Sequence, residues 1–562
     1  MRKKHAVVVL LVGAAVFAAG MFAKKLVADD DQHSGHFKFA EGSLVLSRSV
    51  YEGTASTVIA GEALPPGCMG GATGLTVQVP LIANGTTPVA VPCGFASDNG
   101  EFPNDQDSHN VWNNSGSDGS FGITSPILLD NMTEDGWVLG TLPIPTDHIV
   151  TSFSSKSELA LNRSVDGKSI TFMGYHGGVG CGGTAVSPTA PNLIDVSASS
   201  TPGICDPTNP VFSSLQNTPN IPTAYYRAVA EVDGDGHLSI TDGNAYSGDN
   251  GRAAMKAANG NYYMAGNDNS GNIPKKQLTL TTPGVELINA TGAETLTPGV
   301  TTLPPNIAMI GRFLIPGDKP GKDTNFRGLT IFNNTLYLSK GSGGNGINTV
   351  YQAGTPGTLP TGTAAELANV PLTILPGFPN TTASTNTNPP FGSFPFGMFF
   401  ANASTLYVCD EGDGTFVSPP VNGNVADGSQ ATAGLQKWVL QNGTWTMIYV
   451  LQSGLNIGIP YSVDHYPAAI DPATGGCRNI AGRVNGDGTV TIWAITSTIS
   501  ANGDTGADPN KLVKVTDVIS ATTLPTGVGE KEIGVFRTIR SARAGEVFRG
   551  VALAPVDHGD DH

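Results

Sequence analysis

The chain writes one phrase twice. Phe-Arg-Gly followed by an apolar run occurs as TNFRGLTIF at 324–332 and again as EVFRGVALAP at 546–555, where it stops before any partner strand arrives. A repeated unit that ends half-finished is a strong constraint, because its missing half must come from elsewhere in the chain. Internal repetition also sets the architecture before any local propensity does. Related segments begin at Glu158 (ELALNRSVDGKSITFMGYHGG), Gly251 (GRAAMKAANGNYYMAGNDNSG), Arg327 (RGLTIFNNTLYLSKGSGG), Phe396 (FGMFFANASTLYVCDEGDG) and Ala481 (AGRVNGDGTVTIWAITST). Each reads as a small-residue strand, a tight turn of Asp-Gly, Asn-Gly or Asn-Asn type, and an alternating strand. In TLYVCD, Leu406 and Val408 face one way, and Thr405, Tyr407 and Cys409 the other.

Two further strands follow several of these hairpins: LQKWVLQ and TWTMIYVLQ after Gly434, NKLVKVTD and EIGVFRTI after TVTIWAITST, and YRAVAEV and HLSITD after His176. Four antiparallel strands in roughly 70–90 residues make a propeller blade with long loops. The half-blade at the C-terminus is completed by GSLVLSRSVY at 42–51, then SFGITSPILLD and WVLGTLPIP. The fold expected is therefore all-β: a β-propeller of four-stranded antiparallel blades, six in number, with the ring closed by pairing of the N- and C-terminal strands. Closure removes the strand edges that template aggregation. A pair of β-sandwiches, the competing arrangement, gives no reason for a terminal half-repeat. Residues 54–120, rich in Gly, Pro and Asn, read as a long loop, with room for a seventh blade as the alternative.

Length alone would suggest three or four domains for 562 residues. The repeats instead make 42–555 one domain. With 72 Gly, 39 Pro and 14% charged residues, the composition suits short strands and many turns. Helical spacing occurs only in NGRAAMKAANG (250–260) and TAAELANV (363–370), so little helix is expected.

The first 28 residues, MRKKHAVVVLLVGAAVFAAGMFAKKLVA, combine a basic start with an apolar run from Ala6 to Ala23. They read as a secretory signal peptide, with an uncleaved anchor as the alternative, since the run reaches the lower length limit for a span. The mature protein is then secreted or periplasmic and has no membrane segment, and a monomer is expected. Residues 29–41 and 556–562 read as flexible Asp/His-rich tails. A formal charge of −16 and 7% aromatics argue against a nucleic-acid partner, which would demand a basic surface. Export permits disulfides. Of the fifteen pairings open to six cysteines, the local one is expected: Cys68–Cys93, Cys181–Cys205 and Cys409–Cys477. No Cys-x-x-Cys zinc motif occurs.

In architecture the chain resembles secreted six-bladed β-propeller proteins of the TolB-like, NHL-like and gluconolactonase-like kinds. It is also similar to uncharacterised exported propeller proteins through SFSSKSELALN (152–162), YRAVAEVD (226–233), AYSGDNGRAA (245–254) and FRGVALAP (548–555). The resemblance implies a fold and export. It assigns no activity, because propellers host lactonases, phytases, dehydrogenases, lyases and pure binding modules.

Arg252, Arg327 and Arg549 each open the first strand of a repeat. Arg48 lies on the shared blade, with Arg163 and Arg483 near the equivalent region. First strands line a propeller channel, so these arginines read as a partial cationic ring for a carboxylate or phosphate. The competing reading has each arginine pair with an acid of the next blade as a strut. Asp233 and Asp235 in EVDGDGHLSITDGN could hold calcium or simply make a hairpin turn. No other cofactor is expected. His33, His36, His558 and His562 in the two tails suit zinc, nickel or copper. GSGGNG at 341–346 has dinucleotide-loop spacing but no following helix. Three functions remain. One is an exported binding or surface-associated propeller for a small anionic molecule. Another is a hydrolase or lyase acting on an extracellular anionic or carbohydrate substrate. The third is a structural exported protein. Glu158, Asp410 or His176 beside the arginines would point to catalysis.

Overall fold

The structure, a computed structural model, describes residues 37–50, 125–146, 149–153, 155–176, 227–243, 246, 250–267, 285–289, 309–314, 325–341, 346–382, 393–421, 424–426, 431–466, 468–500, 506–525 and 533–556, together with the backbone of short strands between 63 and 125 and at 196–197. Five antiparallel sheets of four strands, with a further blade that is part of a larger sheet, form a six-bladed propeller. In blade one the second strand Ser169–His176 pairs on its inner side with Asn162–Arg163 and with Ile149–Val150. On its outer side follow Arg227–Asp233 and Leu238–Gly243. Blades two to five begin with the strands Asn250–Lys256, Phe326–Phe332, Pro395–Asn402 and Ala473–Val484. Blade six is made from both ends of the chain, in the order Glu546–Leu553, Leu44–Val50, Ile127–Met132 and Val138–Pro143.

The terminal pairing runs antiparallel from Leu44 opposite Leu553 to Val50 opposite Glu546. Each first strand touches that of the next blade, and the sixth touches the first, so the circle closes. The segment 250–260, whose spacing suggested a short helix, is a strand and turn instead. Tyr262, Tyr263 and Met264 opposite it bury its Ala-rich residues between sheets, and that packing overrides helix propensity. Thr363 caps a short helix at Ala364–Leu367, where its hydroxyl and the Glu366 carboxylate exchange hydrogen bonds with the backbone.

The core is a set of layers between blades. Met173 and Val229 of blade one pack on Ala254, Tyr262 and Met264 of blade two. Ala265 and Leu287 meet Leu329 and Leu338 between blades two and three. Val350 meets Phe400 and Trp438 between three and four. The fourth layer holds the Cys409–Cys477 disulfide, joining the second strand of blade four to the first strand of blade five. This is one of the three expected pairs. Cys68, Cys93, Cys181 and Cys205 lie outside the described residues, as do most of the 54–120 loop and the tail residues His33, His36, His558 and His562. The Phe-Arg-Gly glycines mark where first strands meet: a Cβ on Gly328 would stand 2.6 Å from the Phe396 carbonyl oxygen, and one on Gly550 would stand 2.4 Å from the Leu161 nitrogen.

Candidate functional site

The repeated arginines occupy a special place in the register. In blade two, Gly251 pairs with Gly266 and Ala253 with Ala265, so Arg252 is an extra residue without a partner in the ladder. Arg327 is skipped in the same way between Phe326 and Gly328, and Arg549 between Phe548 and Gly550. A bulge re-aims the side chain it carries. Blade five has an irregularity at the equivalent point, between Cys477 and Ile480, and Arg478 sits in it. Blade four has one between Pro395 and Met398, without an arginine.

The re-aimed side chains reach across to neighbouring blades and are buried. Arg252 Nη1 donates to the Phe326 carbonyl at 2.8 Å and to Asn325. Arg549 donates to the carbonyls of Phe153 and Ser155. Arg327 Nε donates to the Gly341 carbonyl at 2.8 Å, while its Nη2 lies 3.9 Å from Glu411. Arg478 Nε meets the other Glu411 oxygen at 3.0 Å. Burial alone would raise the Glu411 carboxyl; Lys156, Arg327 and Arg478 outweigh it and hold it at about 2. Burial pushes the Arg549 guanidinium down, Arg478 adds to that, and Glu158 opposes it. Lys156, Glu158, Arg327, Glu411, Arg478 and Arg549 thus form one electrostatic network drawn from five blades.

Glu158 is the second carboxyl of this network. It accepts hydrogen bonds from Tyr175 Oη, from the Ser152 amide at 3.2 Å and from Thr151 Oγ1 at 3.4 Å. Arg227 lies 4.3 Å over the Tyr175 ring. Burial raises the Glu158 carboxyl to about 7 despite these donors and the nearby Arg227 and Arg549. Next to it Leu159 has a φ of 62°, a left-handed conformation that a Leu adopts only under tertiary constraint. Asp410, beside Glu411, is raised to about 7 by burial, although it accepts from the amides of Phe394 and Gly412, each at 2.9 Å, and from Gln436 at 2.7 Å.

A proton on Glu158 is therefore held more tightly by the folded protein than by the unfolded chain, whose carboxyl titrates near 4.5. Its stabilising effect is full below that value and is lost as pH rises through about 7. Raising the pH from about 5 to about 8 should lower the Tm of the native protein more than that of Glu158→Gln. Asp410 is common to both forms, so their difference in calorimetry isolates Glu158, and parallel curves would show that this carboxyl does not titrate there.

Among the expected site residues, Arg327 and Arg549 join the network, and Arg252 makes the corresponding contact between blades two and three. Arg48 lies elsewhere, on the second strand of blade six, with its guanidinium 2.8 Å from Asp130 and 2.9 Å from Glu546. Arg483 pairs with Glu134, and Arg163 bonds the Gly167 carbonyl at 3.1 Å. Asp233 closes a hairpin turn by accepting from the amides of Asp235 and His237 at 3.0 and 2.9 Å, and Asp235 pairs with Lys38 at 3.2 Å. Arg478 and Lys156 were missed in the sequence. The signal for Arg478 was its place on the first strand of blade five, where no Phe-Arg-Gly announces it.

No family model matches the chain, and no curated protein matches it. Solved structures do. The GH74 enzyme of Niastella koreensis is 12% identical with a TM-score of 0.26, and the match covers 69% of this chain and 43% of that one. The haemagglutinin-neuraminidase ectodomain of parainfluenza virus 5 is 10% identical with a TM-score of 0.30, and covers 89% of this chain and 94% of that one. The chain thus spans less than half the length of the Niastella enzyme. Similarities this distant say nothing about the chemistry of the site.

Proposed function

We propose that the protein is an exported propeller that binds a small anionic molecule, such as a sugar acid or a phosphate ester, at the arginine-bearing end of its channel. The observation that carries this reading is the register: three bulges in three blades each place an arginine as the extra residue. Bulges recur beside binding sites because they re-aim a side chain without dismantling the sheet. Export is supported by the basic-then-apolar N-terminus and by the Cys409–Cys477 disulfide, which an oxidising compartment maintains. Among the described residues no helix is long and apolar enough to cross a membrane.

The test is a thermal-shift screen with inorganic phosphate, citrate and galacturonate. A binding anion at a hundred times its Kd should stabilise by about 2.7 kcal/mol. The shift should weaken with salt, fall in Arg327→Lys because a point charge cannot replace a fork, and vanish in Arg327→Ala. If no anion stabilises the native protein while Arg327→Ala is less stable, the arginines are blade-to-blade struts alone.

A second reading, a hydrolase or lyase at the same site, is favoured by Glu158 and Asp410, two buried carboxyls raised to about 7 where a proton donor or acceptor works best. Turnover of an acidic oligosaccharide that survived in Glu158→Gln would rule out Glu158 as that group.

A further inference from the structure

A concave site of different character lies away from the bulged first strands, where the outer part of blade five meets the turn 133–137 of blade six. It encloses about 600 Å³ and is lined by Asp135, Asn485, Asp487, Thr489, Lys514 and Thr516, with Arg537 on the outermost strand. That volume falls in the range of small-molecule sites, roughly 300–1,000 Å³. The wall supplied by blade six is held firmly. Glu134 pairs with Arg483, Asp135 lies 3.1 Å from Lys514, and the Trp493 indole N–H donates to the Glu134 carbonyl at 3.3 Å. A Cβ on Gly136 would stand 2.3 Å from the Ile539 carbonyl oxygen, so the turn sits directly on blade five. The opposite wall is ordered too: Asn485 Nδ2 donates to the hydroxyls of Thr489 and Thr491 at 2.9 and 3.0 Å.

A separate observation concerns the same turn. Trp137 is 78% exposed, two residues from Asp135, and Val138 and Leu139 beside it are exposed as well. A large aromatic left in water next to a polar pocket marks a contact surface rather than a core.

We propose that this pocket binds one neutral sugar unit of a glycan, with the Trp137 ring taking part in recognition. The chemistry selects the class by elimination. An anion would meet Asp135 and Asp487; a cation would meet Lys514 and Arg537. Val515, Val535 and Ile539 line the pocket too, but they stand among hydroxyls, an amide and charges that a purely apolar molecule would strip of water without replacing their hydrogen bonds. A neutral polyol uses all of these groups, because each of its hydroxyls both donates and accepts. Its C–H face is the natural partner of an exposed indole.

The full exported protein is probed on an array of immobilised neutral and acidic glycans, and free cellobiose, lactose and chitobiose are then titrated while tryptophan fluorescence is followed. At least one neutral glycan should bind. Trp137→Ala and Asp487→Ala should each weaken it by about tenfold with the fold intact by circular dichroism, whereas Lys168→Ala, an exposed side chain of blade one, should leave it unchanged. Binding of acidic glycans alone, binding indifferent to Trp137→Ala, or a Trp137-dependent dimer that binds no glycan would overturn the proposal.

Discussion

Removal of residues 547–562 should abolish the folded state. The lost strand supplies the inner position of blade six, and its register with Leu44–Val50 is the contact that closes the ring. Val547, Phe548 and Val551 are buried in or beside the layer between blades five and six. Burying side chains of this kind stabilises by about 2 kcal/mol each. Arg549, which ties the strand to the carbonyls of Phe153 and Ser155 in blade one, goes with them. Single domains are stable by only about 5–15 kcal/mol in total, so the loss is of the same size as the whole. The truncated chain also exposes the strand edge of Leu44–Val50, which invites aggregation. The expected result is insoluble protein, or soluble protein without a cooperative unfolding transition in calorimetry. A soluble truncation with an unchanged Tm would show that blade six is held without its inner strand.

Lys437→Met should be the most damaging single substitution away from the channel. Lys437 Nζ lies 3.1 Å from Asp517, and both side chains are fully buried between blades four and five. Tyr407 Oη donates to Asp517 at 2.6 Å and Tyr449 Oη at 2.8 Å, while the ammonium donates to the carbonyls of Val518 and Ala521 at 2.6 and 2.9 Å. Methionine matches the length of the lysine stem, so little volume is lost. What remains is a buried carboxylate without its cation and an Ala521 carbonyl that has lost this donor, while the Val518 carbonyl keeps the Ala521 amide. Breaking one partner of such a pair costs about 3–5 kcal/mol. Urea unfolding should show a loss of that size at unchanged m-value, and Lys437→Met with Asp517→Leu should recover part of it, because the unpaired charge is then gone. A single-variant loss below about 1 kcal/mol would show that the buried pair does not hold blades four and five together.

Much of this protein was legible in order along the chain. Asp-Gly, Asn-Gly and Asn-Asn turns, such as Asn333–Asn334 with both φ angles positive, specify hairpins through local backbone sterics. Alternation in segments such as TLYVCD sets which residues face which layer, and the orphan FRGVALAP named its own partner at 43–50 because a half-blade cannot bury its faces alone. These are short-range properties or consequences of repetition, and both can be read without knowing contacts. What the sequence could not decide was which charges meet. Arg252, Arg327 and Arg549 looked equivalent to Arg48, yet only the first three are the extra residues of bulges, and a bulge arises from how two strands are registered. Glu411, Arg478 and Lys156 lie far apart along the chain and meet only because ring closure brings the first strands of different blades together around the axis. The raised Glu158 and Asp410 carboxyls likewise depend on burial, a property of all the surrounding blades at once. Local sterics wrote the blades, and the closed ring, by setting distance and dielectric between residues from separate repeats, made the site.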